Sequence, residues 1–433
     1  MRLGFPFPRY EAIPPVEIPD ANLIGVFQPG GVAAVREVEV LRRGFSSPIG
    51  ALPLRAAVAR HDRVLILIDD GTRGTPVALL LPHVLAELQA AGVADERIAF
   101  LQAPGTHRAM TPDELRTKLG LFFGQYPVTE HHYLDEASLH EFGHTCDGTR
   151  VTANRRLAEA DFVLGIGGIV PHRVKGFSGG AKIAFPGVSG PEMMARHQWE
   201  ASLQPAGTIM GMPENPIRLR TEEAARLSGL RYVANVVTGS GSRVVGCFVG
   251  DPVAAHRAGC RRARRLFAAN LPTRADVVVI DSHPADRDLW QSAKGFYAGS
   301  LAVKRGGSLI LVSPNPEGVA RNHPNLLEIG YRPHSELVSM MRQGGVDDVI
   351  GLAILADLAQ IIDQADCILV SPGVTRVQAE RLGFRHATAP QEALDLALSR
   401  QGRSASIAVL RHGGHILPIV AGGTHDRRLP WVA

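Results

Sequence analysis

The 433-residue sequence contains only four cysteines, Cys146, Cys247, Cys260 and Cys367, and no C-x-x-C pair. That scarcity argues against a disulfide framework and a thiolate zinc site, and it fits a reducing, cytoplasmic setting. Long apolar runs are also missing. The longest, such as 64–68 and 277–280, fall far short of the roughly 20 residues that cross a bilayer, so no membrane role is expected. Residues 1–8 lack the long apolar core of a signal peptide. There is no internal repeat, no low-complexity tract and no complete G-x-G-x-x-G fingerprint; Gly165-Ile-Gly-Gly168 is only a fragment of one. Charge of one sign is not in large excess: the formal net charge is +4 and the pI about 9.0. The one dense basic run, 257–265, reads as the solvated face of a helix. A nucleic-acid partner is therefore not expected, whereas a small anionic substrate is compatible with the balance.

What is present is an ordinary globular profile, 45% hydrophobic and 20% charged, on a chain long enough for two or three domains. Strand-like and helical segments alternate. Residues 63–70 read as a strand, 70–76 as a loop, 77–91 as a helix with Pro76 at its start, and 97–102 as a second strand. Thr111, Pro112 and Glu114 then form a capping-box start to another helix. Residues 162–169 read as a buried strand, 192–202 and 221–227 as helices with 211–218 a loop between them, 233–237 and 243–249 as paired strands, and 254–269 as a long helix. After Leu271-Pro-Thr the pattern restarts with strands at 275–281, 308–312, 367–370 and 407–410, and helices at 289–303, 336–343 and 389–398. This is the signature of α/β domains with parallel-type sheets. The division expected is an N-terminal domain over 1–270 and a C-terminal domain over 275–433, with the active site in a cleft between them. In such sheets ligands bind beyond the carboxyl ends of the strands.

Candidate chemistry gathers in those loops. Asp70 and Arg73 follow the first strand, where an arginine can fork a carboxylate; the same pair could equally serve only to order the loop. His107 lies in Gly-Thr-His-Arg and suits a general base, although a lone loop histidine is usually just solvated. His172 follows the 162–169 strand. Gly179 and Gly180 precede Lys182, so backbone N–H groups can approach a phosphate there and a lysine can pair with it or form a covalent link. His197 follows on the next helix. Gln291 and Lys294, three apart, share one face near a helix N-terminus. His140 and His144 match H-E-x-x-H, but Gly143 inside the motif suits a strand or turn, where the two rings do not converge on zinc.

In this order, Asp-x-x-Arg, Gly-Thr-His-Arg, Pro-His with Gly-Phe-Ser-Gly-Gly-x-Lys, a downstream histidine and Gln-x-x-Lys resemble the nickel-dependent lactate racemase family over most of the chain. The resemblance implies a nickel pincer nucleotide, made by separate cofactor-synthesis proteins, attached covalently at Lys182 with its nickel held by His197, and with Gly179, Gly180, Asp70 and Thr72 around it. It implies reversible hydride transfer from carbon 2 of a 2-hydroxy acid, with His107 and His172 as the acid/base pair. Arg73, Gln291 and Lys294 then hold and orient the substrate. The family takes lactate, malate, aromatic hydroxy acids and sugar acids. Arg173 and Lys175 beside His172 add positive charge that would favour a dicarboxylate such as malate, unless both side chains point to solvent. Two other readings stand beside this one: a non-catalytic small-acid binding protein of the same fold, and a zinc hydrolase at His140 and His144.

Overall fold

The computed structural model describes residues 1–7, 13–31 and 36–423, so the last ten residues of the expected C-terminal domain lie outside it. The chain divides into two compact units. One comprises residues 31–197 and 212–266, the other residues 1–30, 198–211 and 267–433. A linear division near residue 270 misses two segments for a physical reason. The strand Leu23–Phe27 pairs in parallel with Ile407–Leu410, and Leu3, Val16 and Ile18 are buried with Val277, Ile310 and Val409 in one cluster. The N-terminal residues therefore complete the C-terminal sheet.

The 31–266 unit is built on a six-stranded sheet in the spatial order Val244–Gly250, Leu230–Thr238, Phe162–Gly168, Val64–Asp69, Ile98–Ala103, Val128–Thr129. Only the first of these pairs antiparallel to its neighbour. Val64–Asp69 reads Val-Leu-Ile-Leu-Ile-Asp and is buried along its whole length, as a central parallel strand covered on both faces must be. One apolar cluster covers each face, one including Ile66, Leu81 and Tyr232 and the other Leu67, Phe185 and Ala224. The chain runs from Val64–Asp69 outward to one side, then returns to the other side with Phe162–Gly168. This reversal makes the carboxyl ends of these strands a topological switch point, where α/β sheets bind ligands.

The second unit carries a six-stranded, all-parallel sheet in the order Arg385–Ala387, Asp366–Val370, Val303–Val312, Ala275–Asp281, Ile407–Leu410, Leu23–Phe27. The helix Val349–Ile362 has no polar face in the sequence and is buried nearly all round, which is why an amphipathic period does not find it. Phe296 and Phe384 stack at 4.7 Å between centroids in this unit's core. The four cysteines are free, and among the described residues no helix is long and apolar enough to cross a membrane.

Replacing Phe296, which is fully buried, with alanine should lower the stability of this unit by about 3–5 kcal/mol. Trp199 and Trp290 belong to the same unit, so their fluorescence during urea unfolding reports it. A loss below about 1 kcal/mol would contradict the packing described.

Candidate functional site

The loop after Val64–Asp69 is fixed by two buried carboxylates. Asp69 Oδ1 accepts from Lys118 Nζ at 2.8 Å, and Lys118 also donates to the Arg73 carbonyl at 3.0 Å. Thr75 Oγ1 donates to the other Asp69 oxygen. Removing one partner of such a buried pair costs about 3–5 kcal/mol, so Lys118 pins the backbone that presents Arg73. Lys118 comes from the helix Pro112–Leu119, whose capping box at Thr111 and Glu114 is present as expected. Asp70 Oδ1 accepts from the Thr72 N–H at 2.7 Å, and its Oδ2 lies 3.1 Å from His107 Nδ1. Thr72 Oγ1 lies 3.3 Å from the same nitrogen. Thr72 thus orders the Asp70–His107 pair.

Burial pushes the His107 ring below the ordinary imidazole value against the pull of Asp70, and Arg73 and Lys182 add to the fall. Burial alone would raise the Asp70 carboxyl, but the charge and hydrogen bond of His107, with Arg73 and the Thr72 N–H, hold it well below the carboxylate range. At neutral pH His107 is therefore a neutral ring that gives Nδ1–H to Asp70 and keeps the lone pair on Nε2.

His172 is held in the opposite sense. Its Nδ1 accepts the N–H groups of Val174 at 3.1 Å and Lys175 at 3.3 Å, so Nε2 carries the hydrogen. His107 follows the Ile98–Ala103 strand and His172 the Phe162–Gly168 strand; Val64–Asp69, which carries Asp70 and Arg73, lies between them. Gly105 N–H donates to the Gly187 carbonyl at 3.0 Å, which ties the His107 loop to the segment after Lys182. Burial, then Arg73, lowers the Lys182 amine to about 7; Arg218 adds to the fall while Asp70 and Asp69 oppose it.

His197 is 1% exposed. Its Nδ1 is hydrogen-bonded to Lys175 Nζ, which also donates to Thr221 Oγ1 at 2.7 Å. Burial, then Arg218, Lys182 and Arg220, drives Lys175 well below the lysine range. As an amine it can accept Nδ1–H, which leaves the lone pair on His197 Nε2. That nitrogen is buried and has no hydrogen-bond partner among the described residues. Burial, then Lys175, also keeps the ring far below the imidazole range. Gly180 N–H donates to Asn235 Oδ1 at 2.8 Å. A Cβ on Gly180 would stand 2.8 Å from the His256 ring, at a φ of +57°, so no larger residue fits there.

The structure thus brings Asp70, Thr72, Arg73, His107, His172, Gly179, Gly180, Lys182 and His197 into one unit. Gln291 and Lys294 belong to the other, where Lys294 Nζ donates to Gln291 Oε1 at 2.9 Å and Asp288 caps their helix. Three expectations change. Arg173 and Lys175 are both buried, so neither points to solvent, and Lys175 is committed to His197 rather than offered to a second carboxylate. His140 and His144 lie on the exposed strand Leu139–His144; no group of three metal-ligating side chains that could hold an ion occurs among the described residues, and the zinc reading falls. Residues 211–218 are not all loop, because a helix begins at Pro216 with Asn215 as its cap. Sequence reasoning missed Lys118, Thr221, Arg218, Asn235 and His256. Only Arg218 had a signal, the Asn-Pro helix start just before it.

The profile of the lactate racemase N-terminal domain matches residues 11–208, and that of the lactate racemase C-terminal domain matches residues 271–417. The chain is similar to the lactate racemase of Lactiplantibacillus plantarum, at 28% identity over 87% of this chain and 90% of that one. It is also similar to the lactate racemase of Thermoanaerobacterium thermosaccharolyticum, at 29% identity over 70% of this chain and 72% of that one. The structure of the latter species' lactate racemase apoprotein superposes with a TM-score of 0.83 at 25% identity, covering 94% of this chain and 97% of that one. A Thermotoga maritima protein shares the fold, with a TM-score of 0.71 at 19% identity over 89% of this chain and 98% of that one.

Amine-directed labelling of the cofactor-free protein should modify Lys182 increasingly as pH rises through about 7, because only the free amine reacts. Site-resolved mass spectrometry reads the modification, and a Lys182 that labels only in the alkaline range of an ordinary lysine, about pH 10, would refute the electrostatic description.

Proposed function

Because the chain belongs to the lactate racemase family of isomerases, we propose that it inverts carbon 2 of a small 2-hydroxy acid, using a nickel pincer nucleotide joined to Lys182 with the nickel on His197. The observation that carries this reading is the His197 ring. A buried nitrogen without a partner costs about 1–3 kcal/mol, and a metal–nitrogen bond would cancel that cost. A neutral imidazole with its other nitrogen tethered is a suitable nickel ligand. Lys182 supplies a readily deprotonated amine for covalent attachment. These residues fit the group. When bound, it supplies an acceptor for the hydride on carbon 2, so that inversion does not require a carbanion.

The chain's own residues do the rest. The Arg73 guanidinium is suited to the substrate carboxylate. His107 takes the hydroxyl proton on Nε2, and Asp70 stabilises the imidazolium that forms, as a carboxylate behind a catalytic histidine does. His172 presents Nε2–H from the opposite side of the central strand, as a hydrogen-bond donor to the oxygen on carbon 2 when the other face of that carbon is presented. Lys175, being tied to His197, is not assigned to a second carboxylate, so malate is not favoured over lactate by that residue.

Protein made alongside the cofactor-synthesis proteins should interconvert the enantiomers of a 2-hydroxy acid, followed by chiral chromatography on lactate, malate and related acids. His107→Asn and His172→Asn should each lower the rate by about 100-fold or more. Lys182→Ala should lack the covalent mass increment, and His197→Ala should keep it while losing nickel. Binding of the acids with no interconversion would instead make this a small-acid binding protein. Since His107 must be neutral to act and its value is depressed, the acid limb of kcat/KM should lie below the ordinary histidine value; a limb above it would contradict the assignment of His107 as the base.

A further inference from the structure

The backbone between His172 and Lys182 reaches three functional side chains through two residues. The Lys175 N–H donates to His172 Nδ1 at 3.3 Å, and the Lys175 side chain is hydrogen-bonded to His197 Nδ1. The Gly179 carbonyl accepts the N–H of Lys182 at 3.2 Å. Both Lys175 and Gly179 are held by a single group. Arg218, which is 0% exposed, donates from Nε to the Lys175 carbonyl at 3.2 Å and from Nη1 to the Gly179 carbonyl at 3.2 Å. Its Nη2 donates to the Phe177 carbonyl between them.

We propose that Arg218 is the positioning residue of this site, a buried guanidinium whose three nitrogens hold the 175–179 turn so that His172, His197 and Lys182 are presented together. The inference rests on the reading above that these side chains serve one centre, and it adds the element that assembles them.

The chemistry of the residue supports this role. Burying a cation without a bonded carboxylate is unfavourable, and among the described residues Arg218 makes no ion pair; the nearby Glu222 carboxylate is bound by Arg257 at 2.7 and 2.9 Å. What Arg218 has instead is three carbonyls spaced along one turn, a set that only a rigid planar fork can satisfy together. A lysine at the same place would bring a point charge to one or two of them. The helix start also fixes Arg218 itself, because Asn215 Oδ1 accepts its backbone N–H at 3.0 Å. Arg218 touches only backbone carbonyls in this turn, so it acts through other residues and is not itself catalytic.

Two comparisons test the assignment. The first is between crystal structures of cofactor-free wild type and Arg218→Lys. The second is between nickel and covalent adduct in the same two proteins made with the cofactor-synthesis proteins. Expected are unchanged sheets, a displaced or multiply populated 175–180 turn, and His172 and His197 rings off their present hydrogen bonds. Nickel retained per covalent adduct should fall about tenfold or more, the size seen when the support behind a metal ligand is removed. Arg218→Ala is the second variant, and added guanidinium ions should restore its nickel retention. An undisturbed turn with wild-type nickel retention would overturn the proposal. So would the failure of both variants to fold, which would place Arg218 in core stability instead. If wild type itself carries neither adduct nor nickel while Arg218→Lys still displaces the turn, the positioning role stands and the cofactor reading falls.

Discussion

A buried backbone turn has to find hydrogen-bond partners inside the protein, and the glycine-rich turn before Lys182 is such a segment. Its Lys175, Phe177 and Gly179 carbonyls go to Arg218, its Ser178 carbonyl to His256 Nε2 at 2.9 Å, and its Gly180 N–H to Asn235. Glycine is required as well as permitted. A Cβ on Gly176 would overlap the Met212 carbonyl at 1.7 Å, so the turn is closed in from outside while it is bonded from within. Lys182, His172 and the tether of His197 all leave from this short piece of chain. Their relative placement is therefore a property of backbone hydrogen bonding more than of side-chain packing.

The electrostatics of the same region follow from an imbalance of sign. Burial and then neighbouring cations depress the protonation of Lys175, through Arg218, Lys182 and Arg220, and of Lys182, through Arg73 and Arg218, while Asp69 is engaged by Lys118 and Asp70 by His107. A surplus of buried positive charge is unstable unless some groups lose protons or an anion arrives. Both responses suit the proposed chemistry. Loss of the proton makes Lys182 nucleophilic and leaves His107 and His197 neutral. In the proposed reading the Arg73 guanidinium is left to the substrate carboxylate. Depressed lysines and histidines converging at a switch point are the pattern expected of a catalytic centre rather than of a purely structural ion network.

Much of this was legible in the sequence, for identifiable reasons. The strands Ala275–Asp281 and Ile407–Leu410 were delimited by dense apolar runs between turn residues, and the Thr111 cap by local chemistry alone. The site residues stood at the ends of apolar strands, where the parallel-sheet rule places ligands. What was not legible depended on distance along the chain. Nothing local announces that Leu23–Phe27 joins a strand at Ile407–Leu410, or that Lys118 reaches back to Asp69. The helix Val349–Ile362 gave no period because both its sides are buried. Lys175 suggested a charge for substrate, and only its burial against His197 and Thr221 shows otherwise.

In the proposed mechanism, carbon 2 is inverted by removing its hydrogen as hydride and returning the same hydrogen to the opposite face. The most direct measurement is racemisation of a 2-hydroxy acid deuterated at carbon 2, in ordinary water, by the cofactor-loaded protein, with the label followed by mass spectrometry. Full retention of deuterium in the inverted product is predicted, because a hydride held within the site does not exchange with solvent. Loss of the label in step with inversion would mean that a base removes a proton from carbon 2, and would contradict the account at its centre.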